Sequence, residues 1–432
     1  METVEQKEKF TRSLTFKAMI VMVLTLLLLI PGAMIQGLIS ERQELSHTTI
    51  ASINEKWSLA QTLCPPVLVI PYTTTVREKD KATVYQEHEW HITPENTKID
   101  VRLFPEERHQ SIYKSIVYKS NIHIDGNFEA IPPLHIDNSV LHFDRAYIVL
   151  GISDLRGISE AIDFEINGKK YPAEAKFSRF LNQANMSMAL KDAAPEKLLN
   201  GFSFNCILKL KGSGSISFIP VAKTTKVNVS GNWTAPGFFG NFLPDYKVDD
   251  KDFNAEWNIL NFNRRIPERW IDNEVGNLHE NELGVSLINM VDHYRQNMRS
   301  AKYALLFIGL TFVVFFFVEA LTEKRIHPVQ YTLAGIALIL FYSLLLSISE
   351  QIGFVWAYLI ASTATISLIT VYAHCIFKDK KPTAILALIL IALYIFLFVV
   401  LQLEDMALLI GSVGLFLILG IIMFVSRTIK WH

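Results

Sequence analysis

The distribution of charge constrains this chain most. Acidic and basic residues are dense between Glu41 and Arg299 and nearly absent from Tyr303 onward. Inside a bilayer every backbone N–H and C=O must find a partner within the protein, so an apolar run of about 20 residues can only be a helix. Half of the chain is apolar, but soluble domains reach the same fraction. The segregation decides the class: an integral membrane protein with a large polar insertion. The net charge of −1 points to no nucleic-acid partner.

The first apolar segment, residues 16–38, follows a basic start carrying Lys7, Lys9, Arg12 and Lys17. A cleaved signal peptide begins in the same way, but its apolar core is shorter and ends in small residues. Neither holds here, so the segment reads as an uncleaved anchor. Five more candidates follow, at residues 302–320, 329–348, 354–377, 383–401 and 406–425, separated by the breaks TEKRIHP, SEQIG, KDKKP and QLED. The basic breaks carry Lys324, Arg325, Lys378, Lys380 and Lys381, and the tail carries Arg427 and Lys430; the alternate breaks carry none. Six helices put all the basic ends on one face, which the positive-inside rule makes cytoplasmic. The expected layout is a cytoplasmic N-terminus (1–15), helix 1 (16–38), a periplasmic domain (39–301), a five-helix bundle (302–426) and a cytoplasmic tail (427–432).

Within the insertion the pattern has period two. Phe202, Phe204, Cys206, Leu208 and Leu210 alternate with polar partners, as do Ile99, Val101 and Leu103, Ile122 and Ile124, and Val227 and Val229. Asn167–Gly168 is a two-residue hairpin signal, and Gly212–Ser213–Gly214 predicts a second hairpin into Ile216 and Phe218. The expected fold is an antiparallel β-sandwich. Residues 41–63 and 283–299 read as helices continuing from the membrane segments. Cys64 and Cys206 are expected as buried free thiols, with a disulfide as the lesser alternative.

No catalytic signature is present: no HExxH, G-x-S-x-G, Walker loop or G-x-G-x-x-G. His88 and His91 are three apart in a segment expected to be solvated, and His135 and His142 read as strand-face residues. No metal or other cofactor is expected. Among charges near the membrane, Glu319, Glu350, Glu404 and Asp405 lie where they can reach an interface. Thr363, Ser367, Thr370 and His374 share one helical face, either as a polar path through the bundle or as small residues that let helices pack.

Several longer stretches carry a resemblance. QTLCPPVLVIPY (61–72), PEER (105–108) with Ile112–Tyr113 and Val117–Tyr118, WTAPGFFGNFLP (233–244), FNAEW (253–257), RSAKYA (299–304), HPVQY (327–331) and FYSLLLSISE (341–350) occur in order. Together they resemble the CreD family of bacterial inner-membrane cell envelope integrity proteins. Two positions depart from the family pattern, Pro65 and Ser111, where glycine is usual. The resemblance implies the inner membrane of mainly Gram-negative bacteria, a link to two-component sensing and tolerance of envelope-directed agents, and no catalytic residues. Motif residues Trp233, Pro236, Phe238 and Phe242 are expected as core and turn residues, or as aromatics at a membrane-facing edge. His327, Gln330 and Tyr331 read as a cap and interfacial anchor, or as a contact for a cytoplasmic partner. With Glu350 and His374 they complete the candidate positions. The leading functional expectation is a non-enzymatic protein whose outer domain binds a periplasmic protein, a lipid or a cell-wall component. A transporter or lipid-handling channel, and an envelope enzyme, are the alternatives. The lipid bilayer is the one partner that the segregation of charge requires; the oligomeric state stays open.

Overall fold

The computed structural model describes residues 14–76, 84–133, 136–178, 180–181, 183–190, 198–287, 293–322, 326–403 and 406–427. Lys7, Lys9, Arg12, His135, Lys324, Arg325, Glu404, Asp405 and Lys430 lie outside them. The chain divides into two units, residues 1–47 with 291–432, and residues 48–290.

The first unit is helical: α1 (Leu14–Leu27), α2 (Leu29–Trp57, which continues into the second unit), α3 (His293–Lys302), α4 (Ala304–Thr322), α5 (Pro328–Ile352), α6 (Phe354–Phe377), α7 (Lys380–Gln402) and α8 (Ala407–Ser426). Among the described residues four helices are long and apolar enough to cross a bilayer: residues 16–57, α5, α6 and α7. The α3–α4 pair, bent by 46°, brings the number to five. The expected sixth span falls on α8, an apolar helix of 20 residues whose candidate stretch among the described residues is Leu409–Phe424.

Local chemistry sets the helix ends. Pro328 occupies the first turn of α5, where its missing N–H costs nothing. His327 Nδ1 accepts from Val329 N at 3.3 Å, and Gln330 Oε1 accepts from His327 N at 2.9 Å. A single residue, Gly353 at φ 81°, separates α5 from α6, and glycine adopts that angle without steric cost. Packing is close: a Cβ at Gly335 would lie 2.2 Å from Leu28 Cδ1, so Leu28 seats in a notch that only glycine leaves open.

The second unit holds two sheets. Sheet A has ten strands, with β14 (Gly237–Gly240), β18 (Leu283–Ser286), β12 (Ser215–Phe218), β1 (Gln61–Val76), β6 (Tyr147–Ile152), β10 (Gln183–Ala189) and β9 (Ala173–Ser178) in order; β2 (Val84–Ile92) and β5 (Ser139–Leu141) also pair with β1, and β17 (Arg269–Ile271) pairs with β2. Sheet B has the order β15 (Asp245–Val248), β16 (Phe253–Leu260), β13 (Thr224–Gly231), β3 (Asn96–Gln110), β4 (Tyr113–Phe128), β11 (Phe202–Ser213), β7 (Asp163–Ile166) and β8 (Lys169–Tyr171). The alternating residues of both sheets, among them Leu68, Ile148 and Phe218 from A and Ile99, Ile124, Cys206 and Trp257 from B, form one buried cluster.

The structure corrects the sequence expectations in four places. The sheets are mixed rather than purely antiparallel, because β1 runs parallel to β12 and β3 parallel to β13. Gly212–Gly214 makes no hairpin: β11 belongs to sheet B and β12 to sheet A, so the chain changes sheets there. A Cβ at Gly212 would stand 2.3 Å from Tyr118 Oη, the hydroxyl that donates to Ser215 O at 2.9 Å. The helix expected to reach residue 63 stops at Trp57, and Gln61 opens β1. The helix expected over 283–299 is a strand at Leu283–Ser286, paired with β12, and a helix only from His293. The alternation of Leu283, Val285 and Leu287, all buried, outweighed helical periodicity.

Candidate functional site

Sheet B has a buried face and an outer face, and the register of its strands fixes which polar side chains meet outside. Asn228, Asp100, His123 and Ile207 lie side by side across β13, β3, β4 and β11; Lys226, Lys98, Asp125 and Asn205 form the next row. The residues between them in sequence, Ile99, Ile124, Cys206 and Val227, point into the core. The outer face is bonded within and across strands. Lys98 Nζ reaches Asp100 Oδ2 at 2.5 Å, Asn228 Nδ2 donates to Asp100 Oδ1 at 3.0 Å, and the Asn205 amide meets His123 Nε2 at 2.6 Å. Burial by itself would raise the Asp100 carboxyl; the hydrogen bonds from Lys98 and Asn228 outweigh it and hold the group below the usual carboxylate range. A shallow cleft of about 480 Å³ adjoins these rows, lined in part by Asn96, Lys98, Asp125, Asn127, Ser203 and Lys226.

Charged groups are rarer in the helical unit, and two of its glutamates hold several partners each. Glu350 accepts from Arg42 at 2.9 and 2.8 Å and from the Tyr294 hydroxyl at 2.9 Å. Glu319 is buried, pairs with Lys17, and accepts from Tyr331 Oη at 2.9 Å and from Ile326 N at 3.0 Å. Both glutamates, expected to reach toward an interface, turn inward onto cations of the N-terminal helices.

The other candidate positions fall as follows. Trp233, Phe238 and Phe242 are half-buried against the domain core, and Pro236 lies in the loop before β14. The Phe238 ring is 4.8 Å from Tyr246, and Trp257 Nε1 donates to Phe242 O at 2.9 Å. His327 and Gln330 cap α5, and Tyr331 faces Glu319. Thr363, Ser367 and His374 are exposed on the outside of the helical unit and Thr370 is half-buried, so this row lines no path between helices. His88 and His91 diverge: His88 bonds Asp272 at 2.7 Å, whereas His91, expected to be solvated, is buried and stacked on Trp270 at 5.1 Å. His142 meets Thr73 Oγ1 at 3.1 Å. Cys64 and Cys206 are free and buried, and burial pushes both thiols up to about 12.

Residues 13–432 match the protein family described as "Inner membrane protein CreD". The chain belongs to this family. It is 31% identical over 414 residues to the inner membrane protein CreD of Escherichia coli K12, covering 94% of this chain and 91% of that protein. Solved structures similar to the chain include an M1 zinc metallopeptidase of Deinococcus radiodurans, at a TM-score of 0.23 (8% identity, 45% of this chain and 42% of that one), and yeast LTA4 hydrolase, at 0.21 (7% identity, 52% and 35%). Neither value supports a shared fold.

Membership makes the chain an inner-membrane protein surrounded by lipid. The structure also bears on Pro65 and Ser111, the two positions where the resemblance implied glycine. Cys64 and Val67 bracket a register shift in the β1–β6 ladder, and Pro65 and Pro66 fill the interval where a lost N–H breaks no pairing. Ser111 sits in the two-residue turn between β3 and β4 at φ 57°, a left-handed angle that favours glycine.

Proposed function

We propose that this chain is a non-enzymatic, six-pass inner-membrane protein that maintains envelope integrity by binding a periplasmic ligand on a sandwich-like domain running from residue 39 to residue 301. Both termini are cytoplasmic in this reading. The ordered polar face of sheet B carries it: eight outward side chains set in two rows beside a cleft form a surface fit for a polar ligand such as a protein segment, a lipid headgroup or a cell-wall fragment. The ion pairs support the topology. Lys17 and Arg42 are 25 positions apart, about 37 Å along a straight helix, enough to bracket a hydrocarbon core of about 30 Å. The exposed placement of Thr363, Ser367 and His374 favours anchoring over transport.

The test is complementation. Cells lacking the protein would express the full chain or an Asp125→Lys, Asn205→Lys variant, with membrane levels matched by immunoblot. Sensitivity to detergent and to cell-wall antibiotics is then scored. Rescue by the wild type and its loss in the variant are expected. Full rescue by the variant would remove the face from the function.

A further inference from the structure

We propose that Asp100, His123 and Asp125 form a divalent transition-metal site on the outer face of sheet B, an inference that rests on reading this face as the ligand surface of the domain. Three observations converge on it. One oxygen of each carboxylate and one ring nitrogen of the histidine all lie within 4.8 Å of one another. The three residues come from two adjacent strands whose register is fixed by fifteen paired positions, so the group is held by the sheet rather than by a loop. The nearest-measured pair, His123 Nδ1 and Asp125 Oδ1, is 3.9 Å apart. A tetrahedral ion with bonds of about 2.1 Å spaces its ligands by about 3.4 Å, so closure asks only for small side-chain rotations.

The donor set selects the ion. One imidazole with two carboxylates suits zinc, cobalt or manganese; calcium asks for six or more oxygens, and magnesium keeps most of its waters. Three protein ligands leave open positions for water or for the terminal group of a bound ligand.

A second shell is already present. When Nδ1 of a histidine binds metal, its other ring nitrogen must donate a hydrogen bond. The Asn205 amide stands 2.6 Å from His123 Nε2, and with its oxygen turned inward it accepts that bond. Asn228 holds Asp100 from the other side. Lys98 is the competitor. Its ammonium occupies Asp100 Oδ2, and Asp125 is its cross-strand neighbour. At 48% exposure it can swing into solvent when a metal arrives. Metal and ammonium thus exclude each other, and removing the lysine strengthens the site.

The test uses full-length protein in detergent, stripped of metal, in a Cys375→Ser background so that the exposed thiol contributes nothing. Zinc binding is followed by calorimetry, and cobalt binding by its visible absorption. One ion per chain is expected. His123→Gln and Asp125→Asn should each weaken binding tenfold or more, Asn205→Ala about tenfold, and Lys98→Gln should tighten it severalfold. Circular dichroism and gel filtration verify that each variant is folded. Absence of stoichiometric binding, or affinity indifferent to His123→Gln and Lys98→Gln, would overturn the site. If binding fails while Asp125→Lys, Asn205→Lys still abolishes rescue, the metal is wrong and the face remains the ligand surface.

Discussion

Arg42 grips Glu350 with two parallel hydrogen bonds, Nε to Oε1 at 2.9 Å and a terminal nitrogen to Oε2 at 2.8 Å, tying α2 to the end of α5. The fork geometry is specific to a guanidinium. Breaking a fully buried pair by removing one partner costs about 3–5 kcal/mol. Arg42 is about a third exposed, so Arg42→Ala should cost about 1–3 kcal/mol. Arg42→Lys should recover only part of this, because an ammonium cannot fork. Thermal unfolding in detergent checks it. A double variant, Arg42→Ala with Glu350→Gln, should be less damaged than the sum of the single changes.

Gln61 is the polar hub at the start of β1. Its amide nitrogen donates to Ser58 Oγ (2.9 Å), Asp154 O (3.0 Å) and Lys211 O (2.9 Å), and its oxygen accepts from Ser153 Oγ and Asp154 N, both at 3.2 Å. Gln61→Leu keeps the bulk and leaves several buried groups without partners. A loss of about 3 kcal/mol or more is expected, read as a lower midpoint in urea. A midpoint within experimental error of wild type would mean that water replaces the amide.

Ser111 offers a gain. A side chain at a left-handed angle costs about 1 kcal/mol relative to glycine. Ser111→Gly should therefore stabilise the domain by about that amount, less the added freedom of the unfolded chain. A rise in unfolding temperature with no change elsewhere in the circular dichroism spectrum is the expected result; a fall would mean that the hydroxyl supports the turn.

Much of the fold was legible. Strands β3, β4, β11 and β13 follow the alternations of Ile99, Ile122, Phe202 and Val227 because each has one wet face. Parallel pairing was not legible: β1–β12 joins residues over 150 positions apart, and period two is blind to strand direction. The face itself was half legible. Asp100, His123 and Asp125 are ordinary polar members of their alternations, and only the register makes them neighbours. The ion pairs at Lys17 and Arg42 were hidden for the same reason, since each partner lies about 300 positions away.

His91 makes stability depend on pH. Burial pushes its imidazole down to about 4, against the opposing pull of Glu89 and Asp272 and of backbone groups at Trp270 and Glu89. In the unfolded chain a histidine titrates near 6.5. Between these values the unfolded state binds the extra proton, so stability is full above about pH 6.5 and falls as pH drops toward 4. The loss amounts to about 3 kcal/mol. Carboxylates such as Asp154, held down at about 2, add their own loss only at lower pH, below the ordinary carboxylate range near 4. His91→Phe preserves the stack on Trp270 and removes the proton site. Denaturant midpoints at pH 7 and pH 5 should differ markedly for the wild type and little for the variant. An equal fall in both proteins would place the titrating group elsewhere.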